Sequence, residues 1–300
     1  MSLGRGSRTR RPPSALRSLL RADRPLPDAF FALALPTTSV QSLDAELADA
    51  RELDTDRLAD AIESIGFECT RCGACCKGYD ASDGDVASEG QAATDADATE
   101  ERTGTDADEA DVDGTDADAE CHDDREPHTA TVFPDEVRGL QAATDYDWRD
   151  VARPMPYGLS EVGGRQTGET FEWALQTDAC GDCTFYREDD DGTGACAVHE
   201  DRPLICETYP FSVALGGTAQ PMGEAVDEAG MVRAHECEGL GRDISREDAE
   251  ELAAALKERA IREIEEAIAI RDGYRPVETE AGEVVVHDSE GPKRPDGSSL

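Results

Sequence analysis

The sequence predicts an α+β fold: a small mixed domain, with helices at both ends around a loop-rich cysteine centre carrying short strands. Three observations predict it. Helical periodicity is strongest near the two ends of the domain. Cysteines gather between those ends, in a turn-rich stretch with only short strand patterns. Apolar residues make up 38% of the 300 residues and aromatics only 5%, which supports one modest core over part of the chain.

Residues 1–39 stand apart. They hold seven arginines and two acids, Asp23 and Asp28, in a Pro/Arg/Ser-rich setting, so disorder is expected. Two readings stay open: a mobile basic arm, or sequence upstream of a start at Val40. Ala29–Leu35 is apolar but short, follows Asp28 and lacks a clear small-residue cleavage site, so it does not read as a signal peptide. From Ser42 the pattern becomes helical, with Leu43, Leu47 and Ala50 on one face. A second helix follows Asp54, with Leu58, Ala61, Ile62 and Ile65 as its apolar stripe and Gly66 as its stop.

Residues 80–127 form an acidic, low-complexity insertion without Phe, Trp or Tyr, unable to bury enough surface to order itself. Its Glu109, Asp111, Asp113 and Glu120 imitate a calcium-loop spacing by chance, since no helical pattern flanks them. Order resumes near Thr131. Pro134 opens a short helix through Leu140, and Phe171, Trp173 and Leu175 alternate as a half-buried strand. Gly163-Gly164 and Gly216-Gly217 read as turns. Ser245 with Asp248 caps the clearest helix, whose stripe is Leu252, Leu256, Ala260, Ile264 and Ile268. The cysteine-bearing domain thus runs over 40–275, interrupted by the insertion. A C-terminal tail covers 276–300, with disorder expected from about Ser289.

The net charge is −39, a field that repels nucleic acid and anionic membranes, so neither is an expected partner. No apolar run approaches the ~20 residues of a membrane helix. Lysine occurs only at Lys77, Lys257 and Lys293. Acid-rich, lysine-poor surfaces suit concentrated salt, where the Debye length falls to about 3 Å at 1 M. A halophilic cytoplasm is the expected setting, and in a reducing compartment ten cysteines point to metal or redox sites before disulfides.

The run Cys69-x-x-Cys72-x-x-Cys75-Cys76 aims several thiolates at one place from a tight loop, a spacing used by zinc sites and by cubane clusters alike. Adjacent side chains diverge, so Cys75 and Cys76 are expected to serve different metals, or one of them is a spare or redox-active thiol. Cys180, Cys183, Cys196, Cys206 and Cys237 form a second set, and Cys196-x-x-His199 is another possible ligand pair. His199 and His235 lie near cysteines but are expected to be non-ligating, because thiolates already suffice. Arg71, Lys77 and Arg202 are cations placed to favour thiolates. Pro203 and Pro210 stiffen the loop around Cys206, and Tyr209 and Phe211 are expected to shield the site.

Phe67-Glu-Cys69-Thr-Arg-Cys72-Gly73-Ala-Cys75-Cys76-Lys77 resembles the opening motif of the YkgJ-type cysteine-cluster family of zinc- or iron-chelating domains. Cys183-Thr-Phe185 resembles part of that family's second signature. So does Cys196-Ala-Val-His199-Glu-Asp-Arg202-Pro203-Leu-Ile-Cys206-Glu-Thr-Tyr209-Pro210-Phe211, and Cys237-Glu-Gly239 matches a later cysteine. The resemblance spans roughly 60–79 and 128–270. It implies eight metal- or cofactor-binding cysteines: Cys69, Cys72, Cys75, Cys76, Cys183, Cys196, Cys206 and Cys237. Cys121, inside the acidic insertion, and Cys180 are extra. Glu207 stands where the family usually has a basic residue. Members are often labelled iron–sulfur oxidoreductases without a settled activity, and a related cluster occurs in flagellin lysine methylases.

Three readings follow. The first is an iron–sulfur protein, with a [4Fe–4S] cluster as one form, in redox or electron-transfer exchange with an unknown protein partner. The second is a zinc-stabilised structural or interaction module, eight cysteines filling two tetrahedral sites. The third is a disulfide-bonded domain, which the expected compartment disfavours. No catalytic residue is identified. The charge reading carries its own check. Desalting the purified protein is expected to unfold or aggregate it, followed by circular dichroism and light scattering; a folded, monodisperse protein in low salt refutes the salt-adapted surface.

Overall fold

A computed structural model describes residues 42–80, 125–215, 223–227 and 230–300. The 1–39 segment, Cys121, the calcium-like spacing and Gly216-Gly217 lie outside the described residues. All described residues belong to one unit that runs from Val40 to Leu300.

Two helices open it. α1 (Leu43–Arg51) is capped by Ser42, whose Oγ accepts from the Ala45 amide at 3.3 Å. α2 (Thr55–Ile65) is capped by Asp54, which accepts from the Asp56 amide at 3.0 Å. Gly66 ends α2 with φ of +76°, and a Cβ there would meet the Arg242 carbonyl oxygen at 2.1 Å. The stop read from the sequence therefore has two causes, a backbone conformation reserved for glycine and a close chain approach.

β1 (Tyr79–Asp80) and β2 (Arg125–Glu126) pair antiparallel across the acidic segment, Tyr79 opposite Glu126. The ends of the insertion are thus ordered and side by side. β3 (Thr131–Val132) leads to α3 (Pro134–Ala143), one turn longer than Pro134–Leu140, and to the short α4 (Trp148–Val151). β4 (Ala152–Pro154) follows, then the hairpin β5 (Leu159–Val162) and β6 (Arg165–Thr170). Gly163 and Gly164, both at positive φ, form its two-residue turn.

β7 (Trp173–Leu175) lies between β3 and β4, and all three of its residues are buried. This corrects the half-buried alternation. Being central, the strand is covered on both faces, and Phe171 lies outside it, 43% exposed. β8 (Tyr186–Glu188) pairs with β9 (Gly194–Cys196), and α5 (Leu204–Glu207) carries Cys206. β12 (Val232–Ala234) lies between β10 (Phe211–Val213) and β11 (Glu224–Ala225).

α6 (Arg246–Gly273) is the long helix that the spacing predicts, with Ser245 accepting from the Asp248 amide at 3.1 Å. Leu256, Ala260 and Ile264 of its stripe are buried; Leu252 and Ile268 pack at the margins. Small residues Ala249 and Ala253 share the buried face. No helix among the described residues is long and apolar enough to cross a membrane.

The C-terminal tail is corrected. β13 (Val284–Asp288) pairs parallel with β6, and β14 (Gly291–Lys293) pairs with β13. Order past Ser289 has a physical reason. Lys293 Nζ lies 3.0 Å from Asp288 Oδ2, both side chains being at most 5% exposed, and the Trp173 indole donates to the same carboxylate at 2.9 Å. Removing one member of such a buried pair costs about 3–5 kcal/mol.

Of three apolar clusters among the described residues, the two largest organise the unit, and a small third joins α1 to α6. The first joins α2 and α6 to β10 and β12, with Phe67 and Leu240 at its edge. The second joins β3, β4 and β7 to α3, Phe185 and Val198. The first cysteine motif runs from one to the other, since Phe67 packs in the first cluster and Cys76 in the second.

Two glycine substitutions separate backbone constraint from helix propensity. Gly66→Ala is expected to lose about 1–3 kcal/mol in denaturant unfolding. Gly139→Ala, in α3 with nothing within 4 Å of the added Cβ, is expected to gain roughly 0.5–1 kcal/mol.

Candidate metal centre

The loop after Gly66 is bent by two residues at positive φ, Arg71 at +60° and Gly73 at +75°. A Cβ on Gly73 would lie 2.2 Å from the Tyr186 hydroxyl, so glycine is what allows the loop to reach the β8–β9 hairpin. Three backbone contacts seat it there. The Gly194 amide donates to the Arg71 carbonyl at 2.7 Å, and the Cys183 amide donates to the Cys76 carbonyl at 2.7 Å. The Gly78 amide donates to Asp182 Oδ1 at 2.8 Å, and Arg125 pairs with the same carboxylate at 3.2 Å. Arg125 also donates to the Gly78 carbonyl, which links the far end of the acidic segment to the motif.

The other side of the loop meets the Cys237 turn. The Glu68 amide donates to the Gly239 carbonyl at 3.0 Å, and the Gly241 amide to the Gly66 carbonyl at 3.0 Å. Gly239 is required here too, since a Cβ would lie 2.4 Å from the Glu68 carbonyl oxygen. Its own amide points at Cys237 Sγ from 3.4 Å, a donor directed at sulfur.

Cys206 sits on α5, where Glu136 does work that the sequence reading missed. Its two carboxylate oxygens accept the Phe133 amide at 2.9 Å and the Leu204 amide at 3.0 Å, so one side chain caps both α3 and α5. Glu136 three residues after Phe133 was the available signal for the α3 cap. Its second contact is long-range and invisible in sequence. Arg259 of α6 holds the following turn through Thr208 Oγ1 at 3.0 Å and the Phe211 carbonyl at 3.2 Å.

The eight cysteines implied by the resemblance are all free thiols: Cys69, Cys72, Cys75, Cys76, Cys183, Cys196, Cys206 and Cys237. Cys180 is disulfide-bonded and stands outside that set. Cys69 is exposed, Cys183 buried and the other six half-buried. Cys75 Sγ and Cys76 Sγ lie 3.8 Å apart. Among the described residues, no three His, Cys, Asp or Glu side chains close on one point tightly enough to hold an ion as they stand.

The thiols nevertheless act on one another. The contact with Cys76 lowers the Cys75 thiol to about 7, and the same contact raises Cys76. Burial pushes Cys183 up to about 11, with Cys196 and Cys75 adding to it. Burial raises Cys206 further, followed by Cys183, Cys196 and Cys75. Cys237 is raised by burial and by Cys72, Cys75 and Cys69, partly offset by the Gly239 amide. Crowded thiolates repel, and a bound cation is what relieves that repulsion. The donor set fits zinc or an iron–sulfur cluster, both of which take cysteine sulfur.

The flanking groups differ from expectation in part. Lys77 pairs with Glu188 and lies 5.3 Å over the Tyr186 ring, so its charge is neutralised locally. Arg202 does act on Cys75, lowering it, and holds His199 Nε2 at 2.8 Å. Both histidines are exposed. Tyr209 lies beside the thiols: burial first, then Cys237, Cys75 and Cys72, raise its hydroxyl, which donates to the Glu236 carbonyl at 3.0 Å. Phe211 is core, edge-on to Phe67 at 5.7 Å, in the apolar cluster of α2 and α6.

No curated protein and no solved structure matches the chain. One family model does match, described as "CxxCxxCC: Putative zinc- or iron-chelating domain", over residues 68–238. That span opens just before Cys69, closes just after Cys237 and contains all eight free thiols. Since it covers more than half of the chain, the protein belongs to the CxxCxxCC family.

Proposed function

We propose that this protein is a thiolate metal protein with an iron–sulfur redox or electron-transfer role. The observation that carries the reading is that eight cysteines within the matched span are free thiols, four of them packed on one apolar cluster, with Cys75 and Cys76 in sulfur contact and the Cys237 turn bonded to the 69–76 loop. Such an outlay of thiols, without a pairing disulfide among them, suits a metal centre. A bound iron–sulfur cluster supplies reversible one-electron chemistry. The residues supply the rest. The cysteines would hold the iron, the Gly239 amide directed at Cys237 Sγ would stabilise charge on sulfur, and exposed Cys69 lies on the side open to a protein partner.

A second reading, a zinc-stabilised structural module, is favoured by the packing of Cys76, Cys183, Cys196 and Cys206 into the second apolar cluster. Metal at that place contributes to folding directly.

Purification of the full chain without oxygen decides between them. A brown protein that contains iron and sulfide and bleaches on reduction supports the first reading; a colourless protein with stoichiometric zinc supports the second. On either reading Cys206→Ser is expected to reduce bound metal. It is also expected to lower the melting midpoint by roughly 5–10 °C, the shift for about 2–3 kcal/mol in a domain of this size. Unchanged metal and melting remove Cys206 from the site.

A further inference from the structure

The eight thiols are not equivalent in their surroundings. Cys76, Cys183, Cys196 and Cys206 pack on the apolar cluster built by β3, β4, β7 and α3. Cys76, Cys183 and Cys196 are linked through backbone. Cys76 receives the Cys183 amide at 2.7 Å, and the Cys196 and Tyr186 backbones pair in the β8–β9 hairpin that begins three residues after Cys183. Cys206 is fixed from two sides, by Glu136 at the start of α5 and by Arg259 just after its end.

Cys69, Cys72, Cys75 and Cys237 are not part of that cluster. They lie where the 66–75 loop meets the Gly239–Gly241 turn, joined by the contacts of Glu68 with Gly239 and of Gly241 with Gly66. Cys69 is exposed and the other three half-buried. Cys75 and Cys76 form the seam: their sulfurs stand 3.8 Å apart and Cys75 also acts on Cys183 and Cys206, but only Cys76 packs on the apolar cluster.

We propose that the thiols form two distinct four-cysteine metal sites. Cys76, Cys183, Cys196 and Cys206 make an inner site that stabilises the fold; Cys69, Cys72, Cys75 and Cys237 make an outer site that exchanges with solvent. This rests on the metal-binding reading above but not on the choice between iron–sulfur and zinc. Two sets of four cysteines satisfy two tetrahedral centres with no histidine needed, in accord with the exposed positions of His199 and His235. The inner cysteines pack on an apolar cluster, which restricts access, whereas the outer four belong to no apolar cluster of the described residues.

The test uses full-length protein, stripped of metal under reducing conditions and titrated with cobalt(II), whose thiolate absorption bands report sulfur ligation. Wild type is expected to take up two ions per chain and to release them to a chelator in two phases, the outer at least about tenfold faster. Cys69→Ser is expected to keep one ion, the slow one, with the wild-type melting midpoint. Cys196→Ser is expected to lose the slow ion and to melt at lower temperature. Should Cys196→Ser fail to fold, Cys196→His restores a ligand, and its slow ion and melting are expected to recover. One ion in wild type, or loss of both ions in Cys69→Ser, means one shared centre and overturns the partition while leaving metal binding intact. Wild type that takes up no metal, and carries none when purified without oxygen, overturns both readings together.

Discussion

The hydrogen bond from the Cys183 amide to the Cys76 carbonyl is the contact on which the site depends. It joins two stretches separated by more than a hundred residues, and every other cross-contact reinforces it. Gly194 with Arg71 fixes the tilt of the loop, and Gly78 with Asp182 fixes its far end. The close approach works only because Gly73 and Gly194 offer no Cβ: at either position one would lie within 3 Å of the Tyr186 ring. Once this lacing forms, Cys76 packs on the same apolar cluster as Cys183, Cys196 and Cys206.

Electrostatics then sets the problem the protein must solve. Burial and neighbouring thiols oppose deprotonation of Cys76, Cys183, Cys206 and Cys237, while the contact with Cys76 and, less strongly, Arg202 favour it at Cys75. In the metal-binding reading, cations resolve the conflict. Structural zinc sites contribute about 10–16 kcal/mol of apparent binding free energy, as large as the roughly 5–15 kcal/mol stability of a typical domain. A fold with so few aromatics could therefore rely on its centre as much as on its core. The acidic surface makes the same demand from outside, since dense negative charge disfavours compactness unless ions screen it.

Much of this was legible in the chain. α1, α2 and α6 follow from apolar spacing and from Ser42, Asp54 and Ser245 as caps, because those signals are local. The eight thiols were legible from spacing and family resemblance. What was not legible is long-range. Val284-Val285-Val286 is a β-branched run that belongs to a strand, yet its parallel partner is β6, over a hundred residues earlier, and nothing local announces that pairing. Trp173 looked like one face of an alternating strand, but its burial on a central strand depends on neighbours contributed by Thr131–Val132 and Ala152–Pro154. The double cap by Glu136 was hidden for the same reason. That Cys75 and Cys76 differ is expected from sequence, since adjacent side chains diverge; that Cys76 is the one packed on the apolar cluster is set by tertiary structure.

The pairing of Tyr79–Asp80 with Arg125–Glu126 has a consequence for how this chain can change. A loop whose two feet are clamped side by side exerts no pull on what lies beneath it. Its closure entropy grows only logarithmically, at about 0.6 kcal/mol for each doubling in length. By that measure a change in the length of the stretch between Asp80 and Arg125 costs little, while the thiol spacing on either side stays as it is.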